Sequence, residues 1–566
     1  MKSTIFRLAK RVFLIHYSYI ILMVVASTTL MSAQKPVWQW ANSGGGTRAD
    51  LASKVAIDSQ GNSYIAGYFS REANFDGIQL SGGNDEILIA KYKANGTLAW
   101  AKSAGGSLYD RALDIAVDNA DNIIISGYFS ESAQFDDTTL QAMGSQSEIF
   151  IAKYTSDGTL IWALREGSTN SEVGSAIAVD TENNILLAGI IRGTAQIGDT
   201  VFTSVQDEDV IVARYSEDGD FLWAAQGKSS GSAVPYGISS NEDGTIAVVG
   251  AFYNQISFNG LNLNANGDAD GYVVTFNREG NVQWSRTMGG PEIDYALDVA
   301  INASGDIIVG GFFSGLAFIG GTPMSSNGST DGFIISYTHD GALKWANQEG
   351  SGGTDGAIAV AVDSNDNVLV VSEFTNSINF PDTTFSSLGW EDITVSAYST
   401  TGSYLWVSHA GGTSIDNASA IAVRNDRIRI AGSFYQNVTF GNDTLSSSGQ
   451  ADTYIAGLSY PTLTGIVREE YVAIDFTLGQ NYPNPFNPST QIPYSHASRA
   501  TVSIEIFDYL GRRVRTLVNQ TQAAGNYLVF WNGADDQGNR VASGIYIYRL
   551  KINNAVAKQR KMILLK

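Results

Sequence analysis

The sequence predicts an all-β protein: a seven-bladed β-propeller closed by an N-terminal strand and followed by a small β-sandwich. The main observation is a tryptophan that recurs every 60 to 62 residues. A fixed period of this length indicates a repeat architecture. The seven copies are Trp40, Trp100, Trp162, Trp223, Trp284, Trp345 and Trp406.

Each period contains the same four short β-rich runs. In the second period they cover residues 113–117, 123–127, 149–154 and 160–163. Clusters of Gly, Asn, Asp and Ser separate them, as expected for strands joined by tight turns. No helical periodicity lies between the runs, so each period predicts one four-stranded propeller blade.

The two ends of the repeat region predict how the ring closes. The first tryptophan run, residues 37–41, precedes any complete repeat. The last repeat, residues 418–460, has no tryptophan run after it. The N-terminal run is therefore expected to complete the last blade, which removes free sheet edges. We assign residues 34–460 to the propeller.

The remaining segments have other compositions. Residues 1–33 carry four basic residues within the first eleven positions and continue with an apolar stretch. This pattern predicts a signal peptide cleaved after Ala33. An uncleaved membrane anchor is the alternative, since residues 12–33 are long enough to span a bilayer. After cleavage we expect no membrane span. Residues 461–475 are predicted to be a linker, and residues 476–566 a β-sandwich with alternating strands at 502–506 and 546–552.

Composition narrows the classes of function. The chain has 566 residues, a net charge of −21 and no cysteine, which excludes thiol catalysis, iron–sulfur clusters and cysteine zinc sites. Residues 34–475 carry a net charge of −32, whereas residues 476–566 carry +7. The acidic field disfavours nucleic acid and anionic membranes as partners. Four scattered histidines make histidine-based catalysis or zinc binding improbable.

The repeats resemble a known bacterial family. The second repeat reads Ile115-Ala116-Val117-Asp118, then residues 122–128, then Ile151-Ala152-Lys153-Tyr154, and ends at Gly158-Thr159-Leu160-Ile161-Trp162. This pattern is similar to the bacterial β-propeller repeat called SBBP. The resemblance implies the fold, and it implies no particular activity because that family has none in common.

The last 90 residues resemble a second family. Ordered motifs occupy residues 478–488, 506–512, 542–546 and 561–564. They are similar to a type IX secretion (type A) C-terminal sorting domain, related to the immunoglobulin-like (Ig-like) domain of flagellar hook-capping proteins. The sorting motif would comprise Asn481, Pro483, Asn484, Pro485, Phe486, Asn487, Pro488, Gly511 and Gly544.

The second resemblance implies a route out of the cell. The type IX machinery would recognise residues 476–566, and the protein would be secreted or placed on the outer-membrane surface of a Gram-negative bacterium. An ordinary accessory sandwich is the alternative, because fold alone does not define a role.

Candidate ligand-binding residues come from a second periodicity. Ten residues after six of the seven tryptophans stands an acid, and Ala233 occupies the remaining position. The acids are Asp50, Asp110, Glu172, Asp294, Asp355 and Asp416. Near the channel they could bind a cation, a basic side chain or sugar hydroxyls. Alternatively, each accepts hydrogen bonds from backbone amides at its own blade junction.

A further polar series is expected at the start of each third strand. Its members are Asp85, Ser147, Glu208, Asp270, Asp331, Glu391 and Asp452. Next to Glu391 stands Trp390, a tryptophan outside the repeat, which could stack on a sugar or a partner or pack within its loop.

No cofactor is predicted. The turns 58–62 and 363–367 resemble the start of calcium loops. Both lack the glycine at the sixth position and the distal acid, so hairpin turns explain them better.

We therefore expect a non-catalytic binding scaffold whose loop-rich propeller face binds a glycan or a protein. A carboxylate-based glycoside hydrolase and a purely structural envelope protein are the alternatives.

Overall fold

The computed structural model describes residues 35–425, 427–460, 476–496, 499–523, 525–552 and 555–565. Every regular element in these ranges is a β-strand, and none of them contains a helix that could cross a membrane. They form two compact units, one up to residue 460 and one from residue 476. The expected signal peptide and linker lie outside the described residues.

The N-terminal unit begins with β1 (Val37–Gly44) and continues with three groups of six strands. The first group is β2 (Leu51–Ile57), β3 (Ser63–Phe69), β4 (Glu72–Phe75), β5 (Ile78–Ser81), β6 (Glu86–Tyr92) and β7 (Leu98–Ala104). The second is β8 (Arg111–Val117), β9 (Ile123–Ser130), β10 (Ser132–Phe135), β11 (Thr138–Gln141), β12 (Ser147–Tyr154) and β13 (Leu160–Glu166). The third is β14 (Val173–Val179), β15 (Ile185–Ile191), β16 (Thr194–Ile197), β17 (Thr200–Thr203), β18 (Asp209–Tyr215) and β19 (Phe221–Ser229).

Four more groups follow in the same order along the chain. The fourth is β20 (Ala233–Ser240), β21 (Ile246–Phe258), β22 (Leu261–Phe276) and β23 (Val282–Met288). The fifth is β24 (Tyr295–Ile301), β25 (Ile307–Phe313), β26 (Leu316–Ile319), β27 (Thr322–Ser325), β28 (Asp331–Tyr337) and β29 (Leu343–Glu349). The sixth is β30 (Asp355–Val362), β31 (Val368–Phe374), β32 (Ser377–Phe380), β33 (Thr383–Ser386), β34 (Asp392–Tyr398) and β35 (Tyr404–Gly412). The seventh is β36 (Asp416–Arg424), β37 (Arg427–Phe440) and β38 (Asp443–Ser459).

Within each group the strands pair in chain order and antiparallel, as in β8-β9-β12-β13. The seventh group has only three strands of its own, and β1 is its fourth. It pairs with β38 and places Trp40 opposite Gly457. The Thr453 hydroxyl donates a 2.7 Å hydrogen bond to the Gly44 carbonyl across this pairing. The first strands contact one another in sequence, β2-β8-β14-β20-β24-β30-β36, and β36 also contacts β2. The unit is therefore all-β and propeller-like, as the repeat predicted.

The link between the second and third strands differs from the expected loop. In five groups it is a separate two-stranded hairpin, such as β10-β11, in which Ala133, Phe135 and Leu140 are buried. In the fourth and seventh groups the longer strands β21, β22, β37 and β38 include this hairpin. Four-residue strands are too short to show a clear alternation in the sequence.

The repeated tryptophan joins neighbouring groups. The Trp223 indole donates a 3.0 Å hydrogen bond to the carbonyl of Arg278, which lies in a turn of the next group. In the same turn Gly280 has φ +81°, and a Cβ there would lie 2.8 Å from the Trp223 ring. Glycine is required for both reasons. Trp284 and Trp345 bind the turns that follow them in the same way.

The C-terminal unit is a two-sheet sandwich of seven strands. They are β39 (Phe476–Leu478), β40 (Thr490–His496), β41 (Ala500–Asp508), β42 (Arg513–Gln522), β43 (Gly525–Trp531), β44 (Gly544–Ile552) and β45 (Ala555–Leu564). One sheet has the order β39-β40-β43 and the other β42-β41-β44-β45. Trp531, Ile504 and Tyr548 are fully buried between them, so the sheets pack through an apolar core.

Candidate functional site

The six acids that follow the tryptophans are buried and bound to the backbone in most groups. Asp110 accepts hydrogen bonds from the amides of Gly106 (2.7 Å) and Ser130 (2.9 Å). Asp50, Asp294 and Asp355 accept the corresponding amides four residues earlier and twenty residues later. Glu172 accepts the amide and hydroxyl of Ser168. These carboxylates therefore cap chain segments where two groups meet.

A second series of acids is more regular than the sequence suggested. Six members stand fourteen residues before a tryptophan, and the seventh occupies the same position in the last group. Each member pairs with a phenylalanine or isoleucine on the second strand. The members are Glu86, Glu148, Asp209, Asp270, Asp331, Asp392 and Asp452, and all are buried. The sequence-based series was one residue early at Asp85, Ser147, Glu208 and Glu391. The spacing to the tryptophan would have given the correct position.

The two series meet as carboxylate pairs around a glycine. A Cβ on Gly289 would lie 2.7 Å from Asp270 Oδ1 and 2.8 Å from Asp294 Oδ2. The two oxygens therefore approach one another at a point where only glycine fits. Gly45 lies in the same way between Asp452 and Asp50, and Gly105 between Glu86 and Asp110.

Burial and mutual repulsion make these pairs bind protons tightly. Desolvation, opposed by backbone hydrogen bonds and reinforced by a neighbouring acid, raises the pKa of Asp50 and Asp355 to about 7. The same causes raise the pKa of Asp270 to about 6, and burial also raises that of Glu86 to about 7. Asp270 Oδ1 and Asp452 Oδ1 accept no hydrogen bond among the described residues. We expect the protonated carboxyl of such a pair to donate to the opposite carboxylate.

Between the third and fourth groups, which we call the fourth junction, the carboxylate pair is incomplete. Here Ala233 stands in place of the first acid, and Lys228 stands where the other junctions have glycine. Lys228 offsets part of the rise that burial causes in the pKa of Asp209. Lys228 is itself exposed, and Asp209 accepts hydrogen bonds from the amides of Val205 and Ser229 and from the Gln226 side chain, so this carboxylate is satisfied without a partner acid.

An ion pair crosses the middle of the unit. Lys54 Nζ on β2 lies 3.1 Å from Asp298 Oδ1 on β24, although 244 residues separate them. Asp298 also accepts the Val360 amide, and Asp114 on β8 accepts the Ile177 amide and lies near enough for Lys54 to oppose the rise in its pKa. Sequence reasoning missed this cluster. Its signal is a charged residue at three of seven equivalent positions; the other four are Ala176, Gly237, Ala359 and Ala420.

Aromatic side chains lie near the start of the first strands in the fourth and fifth groups. The rings of Tyr236 and Tyr295 stack with centroids 5.8 Å apart, and the hydroxyls of Tyr253 and Tyr295 are 3.2 Å apart. Tyr253 is 38% exposed. Tyr295 precedes Asp298 by three residues, so it lies roughly 10 Å along the strand from the ion pair. We call Tyr236, Tyr253 and Tyr295 the tyrosine cluster.

Other groups of strands carry polar side chains near the start of their first strands. The Arg111 guanidinium lies 4.0 Å from the centre of the Tyr68 ring and is bound by Asp85. Glu373 accepts the Ala418 amide at 2.6 Å. Burial and then repulsion by Glu391 raise the pKa of Glu373 to about 8. A cationic group in the second group of strands and a carboxyl group in the sixth thus lie near the start of a first strand, as the tyrosine cluster does in the fourth and fifth.

Trp390 is 77% exposed, and its amide donates a 3.0 Å hydrogen bond to the Ser414 carbonyl. The two calcium-like turns use their acids internally, since Asp58 and Asp363 each accept amides of their own turn. Within the described ranges no three His, Cys, Asp or Glu side chains converge on a metal position.

The sorting-motif residues divide into buried and exposed positions. Asn481 and Phe486 are buried, and Phe486 packs against Trp531 with centroids 5.5 Å apart. Gly511 forms a turn with φ +79°, and Gly544 begins β44. The remaining members are exposed: Pro483, Asn484, Pro485, Asn487 and Pro488. Residues 508, 509, 512–514, 535–537 and 541–546 line one cavity of about 640 Å³, so parts of the second and third motifs meet there.

Comparison with known proteins assigns the C-terminal unit. Residues 489–555 match the FlgD Ig-like domain. The sandwich is an Ig-like domain. Two curated proteins are each 24% identical to the chain: an uncharacterized WD repeat-containing protein of Acanthamoeba polyphaga mimivirus and the regulatory protein FlaEY of Caulobacter vibrioides. The matches cover 70% and 67% of this chain but only 36% and 43% of those proteins.

Among solved structures, the Neurospora crassa Pan2 WD40 domain is 10% identical, with coverage of 60% of this chain and 93% of that one. Its TM-score is 0.31, which is too low to support a conclusion.

Proposed function

We propose that this chain is an exported protein whose N-terminal unit is a closed seven-bladed propeller and serves as a non-catalytic binding scaffold. The observation that carries the proposal is the tyrosine cluster at one end of the central strands. The pairing of β1 with β38 and the circular contacts of the first strands support the closed ring. The ion pair between Lys54 and Asp298, which joins two first strands, would lie across the channel of such a ring.

We assign the ligand site to the end of the channel at the tyrosine cluster, and not to the ring of six acids that follow the tryptophans. The ring carboxylates are buried and largely occupied by amides, whereas Tyr253 is exposed and Tyr295 is stacked. Flat aromatic faces beside carboxyl and guanidinium groups suit a glycan, whose C–H faces stack and whose hydroxyls form hydrogen bonds. A protein ligand is the alternative, and the exposed Trp390 would then extend the contact.

A glycan-binding test separates a glycan ligand from a protein ligand. The mature chain, incubated with a panel of immobilised glycans, is expected to bind a subset of them. Tyr295→Ala should weaken that binding by roughly 3- to 10-fold, because it removes a stacking face. Tyr109→Ala removes a tyrosine outside the cluster that is more exposed, at 52%, and serves as the control. Equal binding by parent and Tyr295→Ala would contradict the assignment.

A carbohydrate-active enzyme is the second candidate. It is favoured by Glu373, whose raised pKa suits a general acid, and by Glu391 beside it. This candidate predicts that the bound glycan acquires new reducing ends, and that Glu373→Gln abolishes their release. If the glycan is unchanged after prolonged incubation, the enzyme candidate is rejected and only the binding function stands.

We also propose that the Ig-like domain directs export by the type IX machinery to the cell surface or the medium. Supporting observations are the ordered motifs and the cavity where two of them meet. Deleting residues 476–566 in a host with that machinery should retain the protein in the periplasm, measured by fractionation and immunoblotting. Appearance of the truncated chain outside the cell would refute the sorting role.

A further inference from the structure

The four lateral edges of the Ig-like sandwich are not protected equally. The edge strands of its two sheets are β39, β43, β42 and β45. Asp536 forms hydrogen bonds with the backbone of β42, and the Phe486 backbone forms them with β45. β39 has only three residues, and the Arg560 guanidinium donates a 2.7 Å hydrogen bond to its last carbonyl. Three of the four edges are therefore short or covered by other parts of the domain.

The edge of β43 has no such cover. Among the described residues, no hydrogen bond reaches its backbone except those of the ladder with β40. The strand reads Gly-Asn-Tyr-Leu-Val-Phe-Trp over residues 525–531, and its ladder with β40 contains no bulge. It thus lacks the charge, the proline and the bulge that usually protect a sheet edge, and its free backbone groups can pair with another strand.

The outer face of the same sheet is apolar beside this edge. Leu528 is 50% exposed and Phe530 is 61% exposed, whereas Trp531 is fully buried in the core of the sandwich. The neighbours of Leu528 and Phe530 on β40 are Pro493 and Gln491, which are also exposed. Two large apolar side chains next to an open edge are typical of a surface that a partner covers.

The distribution of charge favours a second copy of the chain as that partner. The strands β39, β40 and β43 contain no Asp, Glu, Lys or Arg. The strands of the other sheet contain seven Lys and Arg and two acids. Two copies of β43 can therefore pair without placing like charges opposite one another, and their apolar side chains become cross-strand neighbours. A symmetric contact of this kind closes on itself as a dimer.

We propose that two copies of this chain associate through β43, in an antiparallel pairing that joins their three-stranded sheets into one sheet of six strands. Full overlap of residues 525–531 places the two-fold axis at Leu528, which then lies opposite Leu528 of the second copy. The pairing satisfies the free backbone groups of both edges. It is an interaction beyond glycan binding and export, and it depends on neither.

Sedimentation equilibrium of the full mature chain tests the association. The contact involves fewer residues than a standard interface, so we expect a reversible dimer with a dissociation constant of roughly 1–100 µM. Phe530→Lys places a charge on each strand of the seam and should raise this constant roughly tenfold or more. Thr477→Lys adds the same charge to the opposite edge of the same sheet, at an exposed position, and should leave the constant unchanged.

Two results would overturn the proposal. One is a chain that remains monomeric at about 0.5 mM, well above the expected constant. The other is a dimer that Phe530→Lys does not weaken, since its interface would then lie elsewhere or involve a different surface of the chain.

Disulfide cross-linking tests the pairing of the strands directly, because the chain contains no cysteine of its own. In Leu528→Cys the two introduced thiols would lie on opposed residues with Cα atoms about 5 Å apart, which a disulfide can bridge. In Gln491→Cys they would lie three strand spacings apart, about 14 Å, which is beyond the reach of a disulfide. Mild oxidation should therefore give a covalent dimer of the first variant and not of the second. Equal yields from both variants, including none from either, would contradict the strand pairing.

Discussion

The N-terminal unit is expected to lose stability as the pH rises from about 5 to about 8. Its buried pairs bind protons more tightly than the unfolded chain does, because burial raises the pKa of Asp50 and Glu86 to about 7 and that of Asp294 to about 6. Unfolded Asp and Glu titrate near pH 4. The contribution is therefore fully present below about pH 4 and is lost as the pH passes through 6 to 7.

Each proton-sharing pair should contribute on the order of 1 kcal/mol to this loss. Denaturant unfolding of the full chain between pH 5 and pH 8 measures it. Asp270→Asn is the decisive variant, because its amide can donate to Asp294 without a proton. It should reduce the pH dependence and unfold no more readily than the parent at pH 8.

Asp118→Asn provides the matched control. Asp118 is buried, but Asn122 and Lys153 hold its pKa below the ordinary value. Its replacement should destabilise the protein at both pH values without reducing the slope between them. A parent protein whose stability is constant or rises from pH 5 to pH 8 would contradict proton sharing.

Lys54→Met is expected to lower the free energy of unfolding by about 3 kcal/mol. The change leaves Asp298 and Asp114 on the first strands without the Lys54 cation, and breaking a buried pair from one side typically costs 3–5 kcal/mol. We take the lower end because the Lys54 side chain is 20% exposed. Urea unfolding at pH 7 measures the loss.

Arg512→Met tests whether any broken ion pair has this effect. Arg512 pairs with Asp508 at 2.8 Å, but its side chain is 74% exposed, so its removal should have little effect on the free energy of unfolding. Combining Lys54→Met with Asp298→Leu should recover part of the loss, since the uncompensated charge is then removed. Equal effects of the two single variants would show that the pair of Lys54 and Asp298 has no special role.

The sequence predicted the features that repeat. The all-β class, the small repeated sheets and the Ig-like C-terminal domain are confirmed. The second acid series was predicted on the correct strand but one residue early at four positions. The hairpins with four-residue strands were missed because so short an alternation of apolar and polar residues is not distinct from a polar loop.

Local pattern determined where strands and turns form, since alternation and turn residues act over a few positions. The glycine four residues before six of the seven tryptophans is such a case: Gly280 is needed by its own turn geometry. Only the tertiary structure decided which side chains meet. Asp270 faces Asp294 across Gly289, and Lys54 reaches Asp298 across 244 residues. Such contacts depend on how successive sheets are arranged around one axis, and no local periodicity records that arrangement.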